Sequence, residues 1–179
     1  MSQYKAFSSN VEVNGETVLS VVEGVGAFKT SAIKTLQEAG IENPTPGKWY
    51  RQQAWLDAFR KIAESIGQNT LLQIGRKIPQ AAKFPPEIDN VEKALASIDI
   101  AYHMNHRGGD IGNYKFEKTA PNVARIICKN PYPCNFDKGI IQAMAERFRP
   151  SGSIVSVTHA DDQPCRNKGG DSCTFVVKW

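Results

Sequence analysis

Two alternating apolar runs near the C-terminus, Ile154 to Thr158 and Cys173 to Trp179, enclose a polar loop rich in Pro, Gly and Asp. Alternation with a period of two reads as half-buried strand, and loop chemistry of this kind reads as a hairpin connection. Pairing the two runs brings His159, Cys165 and Cys173 to one end of a hairpin. A helix starting near Cys134 approaches the same end, so three of the chain's four cysteines and one of its three histidines gather there, beside the acidic pair Asp161 and Asp162.

Three thiolates plus one imidazole or carboxylate complete a tetrahedral zinc shell. The spacing is not that of a CxxC knuckle, so two other readings stand beside it. One is a set of reduced cysteines capping the hairpin; the other is a regulatory disulfide between Cys134 and Cys165 or Cys173. Thiol catalysis would need a base near an exposed, low-pKa thiol. His159 is available for that, but no acid that would orient it is identifiable.

The chain of 179 residues is 41% hydrophobic, enough for one globular domain over residues 1–179. Its net charge of +4 is spread among acidic residues rather than gathered in a stripe, which argues against a nucleic-acid partner. No apolar run reaches the ~20 residues of a membrane span, and the start, MSQYKAFSSN, has no signal-peptide pattern. A cytoplasmic protein with free or metal-bound thiols is expected.

Along the chain, Val11 to Val13 and Val18 to Val22 flank Asn14-Gly15 and read as a hairpin, with residues 1–23 as a strand arm available for dimerisation. Ala32, Ile33, Leu36 and Ala39 repeat at helical spacing and stop at Gly40. The preceding Gly24-x-Gly26 lacks the third glycine and the context of a phosphate loop. An amphipathic helix is expected over Trp49 to Ile66, a second from Asn69 to about Ile78, and a third capped by Asp89 or Asn90 with Val91, Leu95, Ile98 and Tyr102 on one face. His103 and His106 end this third helix, where they suit the negative pole of its dipole. Tyr114 to Lys118 and Val123 to Cys128 read as strands, and Asp137 to Phe148 as a helix.

The closing pattern, N-x-Y-x-C from Asn130 to Cys134 followed by C-x-x-x-G-G-D-x-C-x-F-x-V-x-W from Cys165 to Trp179, resembles the 4-vinyl reductase domains of the nitric-oxide-signalling and Golgi-transport ligand-binding superfamily. The resemblance spans most of the chain, but the specific motif lies in the last third. It implies an α+β fold with helices packed on an antiparallel sheet, often dimeric, holding a small apolar molecule between helices and sheet. It also implies a structural zinc, with Cys165 and Cys173 as the closing cysteines and Cys134 upstream. The family's further ligand falls three residues before the first closing cysteine, at Asp162, whereas His159 lies three residues further back. The fourth ligand stays open between the two.

The expected function is that of a sensor-like or carrier domain without turnover, acting on a separate signalling or enzyme partner. Its ligand would be a lipid, an aromatic or a tetrapyrrole. Trp55, Phe59, Leu72, Ile98, Tyr102 and Phe116 are the expected pocket lining, being bulky and on inward faces, with Arg76 to orient an acidic headgroup. The alternatives are an accessory protein or enzyme of tetrapyrrole vinyl reduction, for which no dinucleotide fingerprint speaks, and an interaction module of the tether type.

Overall fold

A computed structural model describes residues 3–179, so the first two residues of the polar lead-in lie outside it. The fold is α+β, with helices packed on antiparallel sheets. A small sheet has the order β2-β1-β3, from Trp49–Arg51, Glu12–Asn14 and His106–Arg107. The larger has the order β4-β5-β7-β6, from Asn113–Ala120, Val123–Lys129, Cys173–Lys178 and Ser156–His159. The described helices are α1 (Gly15–Gly24), α2 (Lys29–Glu38), α3 (Gln52–Ser65), α4 (Gln68–Ala81), α5 (Val91–Met104) and α6 (Cys134–Phe148).

The first departure from sequence expectation is at Asn14-Gly15, which opens α1 instead of turning a hairpin. The Asn14 side chain caps that helix by accepting from the Thr17 N–H at 3.0 Å. Gly15 is required by contact: a Cβ there would lie 1.9 Å from the Thr45 carbonyl oxygen. Val18 and Val21, three apart, then face the core, a helical rather than a strand spacing. With α1 helical, β1 is the middle strand of its sheet and pairs on both sides. Among the described residues, the expected strand hairpin is therefore replaced by a paired strand and a helix. The second departure is Trp49–Arg51, a short strand preceding α3 rather than its first turn.

Elsewhere the periodicities translate directly. Trp55, Leu56, Phe59 and Ile62 of α3 are buried, as are Val91, Leu95, Ile98 and Tyr102 of α5. Asn90 caps α5 by accepting from the Lys93 N–H at 2.9 Å. Beyond its C-terminus, buried Asn105 accepts from the Asn14 amide at 2.6 Å, tying the small sheet to α5. Helices α4 and α6 cross backbone to backbone at Gly75 and Gly139. A Cβ on Gly75 would lie 2.2 Å from the Phe136 carbonyl oxygen, and one on Gly139 2.2 Å from that of Leu72. This crossing sets α6 against the larger sheet, with Cys134 and Asp137 in its first turn.

Candidate functional site

Four elements deliver the thiol cluster. Cys134 begins α6, Cys173 begins β7, His159 ends β6, and Cys165 stands in the loop between the last two strands. That loop folds back because the N–H groups of Lys168 and Gly170 both donate to the Cys165 carbonyl, at 2.8 and 3.0 Å, around Gly169 in the left-handed region. The ring of His159 lies against Phe175, its partner across the β6–β7 ladder, with centroids 4.3 Å apart. One ligand atom from each of Cys134, His159, Cys165 and Cys173 lies within 4.8 Å of all the others.

The separations carry the chemistry. Cys165 Sγ is 3.6 Å from both Cys134 Sγ and Cys173 Sγ, and 3.8 Å from His159 Nε2. A tetrahedral shell with Zn–S bonds of about 2.3 Å has edges of roughly 3.8 Å. Cys134 and Cys173 are closer, at 2.9 Å. Hydrogen bonding between these two sulfurs lowers the Cys173 pKa into the thiolate range and pushes that of Cys134 upward. Asp162 is outside the group: it is exposed and its carboxylate pairs with Arg125 at 3.2 Å. A recess of about 340 Å³, lined in part by Gln68, Asn135 and Lys168, opens onto the cluster.

Behind the sulfurs lies a buried ionic network that sequence reasoning missed. Both the backbone N–H and the Nε–H of Arg166 donate to Cys173 Sγ, each at 3.4 Å. The guanidinium is paired with Asp137 and also donates to the carbonyl and side-chain oxygens of Asn130. Asp137 in turn accepts from the Tyr114 hydroxyl at 2.6 Å. Burial raises the Asp137 carboxyl to about 6 even though Arg166 and Tyr114 oppose the shift. Only the adjacency of Arg166 to Cys165 hinted at this network in the sequence.

A second, apolar cavity of about 30 Å³ lies between α4, α5, α6 and β4. Ile98 and Tyr102 of α5 line it, together with His106, Tyr114, Tyr132 and Phe136. The His106 tautomer follows from its partners. Nδ1 lies 2.8 Å from the Tyr102 carbonyl, which only accepts, so Nδ1 carries the proton and Nε2 accepts from the Tyr132 hydroxyl at 2.6 Å. Burial lowers its pKa to about 4, and the imidazole is neutral. The amide of Gln52 reaches the same hydroxyl at 3.3 Å, while its buried Oε1 has no hydrogen-bond partner.

The other pocket candidates are placed elsewhere. Trp55 and Phe59 are packed in the core edge to face, centroids 5.0 Å apart, and do not line this cavity. Leu72 is half-buried on α4, and Phe116 packs on the margin of the core. Arg76 faces an open groove of about 1160 Å³ between α4, α6 and residues 82–88, where it pairs with Glu146 at 2.7 Å. His103 stays exposed at the end of α5 and bonds the Asp99 carbonyl at 2.9 Å. No described helix is long and apolar enough to cross a membrane.

No protein-family model matches the chain. Its fold is shared with H-NOX proteins. The H-NOX protein from S. oneidensis in the Fe(II)NO ligation state superposes with a TM-score of 0.69 at 14% identity, covering 92% of this chain and 98% of that one. The Fe(II) unliganded H-NOX protein from K. algicida gives a TM-score of 0.61 at 14% identity, covering 92% and 95%. In sequence, negative elongation factor D from Mus musculus is 22% identical over 144 residues, or 76% of this chain. The Sus scrofa protein of that name matches to the same extent. The chain spans only 24% of the length of these curated relatives.

Proposed function

We propose that this chain is a small-molecule-binding domain of sensor or carrier type, with a zinc ion held by Cys134, His159, Cys165 and Cys173 as its structural frame. The observation that carries the reading is the convergence of four donor atoms from four separate segments, with Cys165 Sγ at 3.6 to 3.8 Å from the other three. Nothing in the packing alone requires three sulfurs and an imidazole to share one point, and zinc chemistry does. The four cysteines are free thiols, which suits a reducing, cytoplasmic setting.

The ligand-binding half rests on the cavity. It is apolar, enclosed by helices and sheet, and carries one fixed polar edge at His106 and Tyr132. Pockets of that composition select ligands by shape and a single oriented hydrogen bond. A small aromatic or other compact apolar molecule fits this chemistry once Phe84 and Ala82 at the cavity wall give way. The output would pass to a separate signalling or enzyme partner.

A further fold neighbour, with a TM-score of 0.64 at 15% identity, is described by its haem redox potential, which raises haem here. The interior of this chain as it stands does not fit one. Its cavity has room for about one water, against several hundred Å³ for a cofactor site, and both nitrogens of His106 are already engaged. The open groove beside Arg76 has no His, Cys or Tyr in its lining, and the one haem-ligating residue type there, Met144, is buried in the core. A tetrapyrrole ligand would therefore require substantial opening, and no step is assigned to it.

Protein purified under reducing conditions without chelator is expected to contain one zinc per chain by elemental analysis. His159→Ala should weaken zinc binding at least tenfold in competition with a chelator, and Asp162→Ala should leave it unchanged. Native mass spectrometry on the same preparation should show a retained small molecule. Well under one equivalent of metal, with all four thiols titrating freely, would sink the zinc reading.

A further inference from the structure

The metal centre and the cavity are joined by an unbroken set of buried contacts. Cys173, Cys128 and Tyr114 stand directly opposite one another on the adjacent strands β7, β5 and β4, forming one row across the larger sheet. Cys173 belongs to the four-donor cluster at one end of the row, and Tyr114 lines the cavity at the other. Beneath the row runs the polar connection: Cys173 Sγ accepts from Arg166, Arg166 pairs with Asp137, and Asp137 accepts from the Tyr114 hydroxyl. Tyr114 then meets Tyr102, another cavity residue, edge to face at 5.2 Å.

We propose that the Arg166–Asp137–Tyr114 connection couples the metal centre to the cavity, so that the state of the ion sets the position of the cavity wall and a cavity ligand alters metal affinity in return. The inference rests on the zinc reading above. Its physical basis is confinement. The side chains of Arg166 and Asp137 are 1% and 0% exposed, so no solvent absorbs a displacement between them. Arg166 donates two N–H groups to the sulfur, and any shift of that sulfur on metal binding moves the guanidinium. Its far end is clamped to Asp137 and Asn130, and a close-packed interior transmits such a movement. Coupling of this kind is reciprocal in binding free energy, and typical strengths correspond to about 5- to 150-fold in affinity.

Arg166, Asp137 and Tyr114 are positioning residues in this scheme: Arg166 orients the Cys173 sulfur, and Tyr114 holds the cavity wall. Chain labelled with 3-fluorotyrosine can be loaded with zinc or with the larger cadmium, so the comparison does not depend on a metal-free protein surviving. The Tyr114 resonance, assigned by its disappearance in Tyr114→Phe, should differ between the two metal forms, and Tyr102 should move with it. Tyr50, on β2 of the small sheet, should not. In Tyr114→Phe the Tyr102 difference should vanish, and zinc affinity by chelator competition should fall several-fold. Identical Tyr114 and Tyr102 signals in the two forms, or unchanged zinc affinity in Tyr114→Phe, would overturn the coupling while leaving the metal centre intact. Failure of either metal to bind at all would show itself first, as missing thiolate-to-metal absorption, and would remove the zinc reading and the coupling together.

Discussion

The thiol cluster and the aromatic cavity both lie where α6 meets the larger sheet, yet their polar groups are organised in opposite ways. In the cavity, polar atoms satisfy one another: His106 is bonded at both nitrogens, and the Tyr132 hydroxyl donates to His106 and accepts from Gln52. In the cluster, donor atoms from four elements point at a shared centre, and the nearest positive charge is Arg166 behind them. On the proposed function, the first arrangement would discriminate by shape, because its hydrogen bonding is nearly complete before any ligand arrives. The second would discriminate by charge and softness, because thiolates brought this close repel unless a cation or proton lies among them.

The largest effect expected from breaking this contrast is at Cys173. Cys173→Ser should abolish stoichiometric zinc and lower the melting temperature by roughly 10 °C, since metal binding to a site formed only on folding is folding free energy. Cys128→Ser, one strand away and fully buried, should keep the zinc and cost only about 1–3 kcal/mol for its buried hydroxyl. Equal metal content in the two variants would erase the distinction between ligand and core thiol.

Phe59→Ala comes next. Phe59 is wholly buried against Trp55 and Phe136, and its loss should cost about 3–5 kcal/mol in urea unfolding with zinc content unchanged. A much smaller cost would place Phe59 on a cavity that already gives way.

The smallest effect is a pH dependence at the polar edge. The His106 pKa is lowered from 6.5 to about 4, so the unfolded chain takes up a proton that the folded chain refuses. Its contribution is present above pH 6.5 and is lost as pH falls towards 4, by at most about 3 kcal/mol. Asp137 works against it: raised from 3.8 to about 6, its contribution is present below 3.8 and lost as pH rises through 6. The difference between wild type and His106→Gln therefore isolates the histidine, and acid loss of zinc is common to both. Urea midpoints from pH 4 to 7 should converge towards the acid end, and a constant gap would mean that His106 is not buried neutral.

The hairpin end was the most legible part of the sequence. Alternation fixed β7, and cysteine chemistry singled out Cys134, Cys165 and Cys173, because these signals are local. Which of Asp162 and His159 lies beside the sulfurs was not local, since it depends on β6 pairing with β7 and the loop folding back. Asn14-Gly15 misled because one dipeptide serves two purposes: the Asn can turn a hairpin or cap a helix, and only contact with Thr45 shows why the Gly is there. Of the cavity, the helical face of α5 gave Ile98 and Tyr102. Tyr114, Tyr132 and Phe136 come from three other segments, and no periodicity links them. Arg166 and Asp137, 29 residues apart, have meaning only as a pair.

The glycine crossing of α4 and α6 bears on how variation in such a chain is to be interpreted. In a survey of every substitution scored by loss of output, Gly75 and Gly139 would rank with the most intolerant positions, although neither offers a functional group. Any side chain at either would wedge the helices apart and shift Cys134 and Asp137 together, so both sites would fail at once. Intolerance at these two positions would then be a measure of spacing, and the chemistry would have to be sought in residues whose loss disables one site and spares the other.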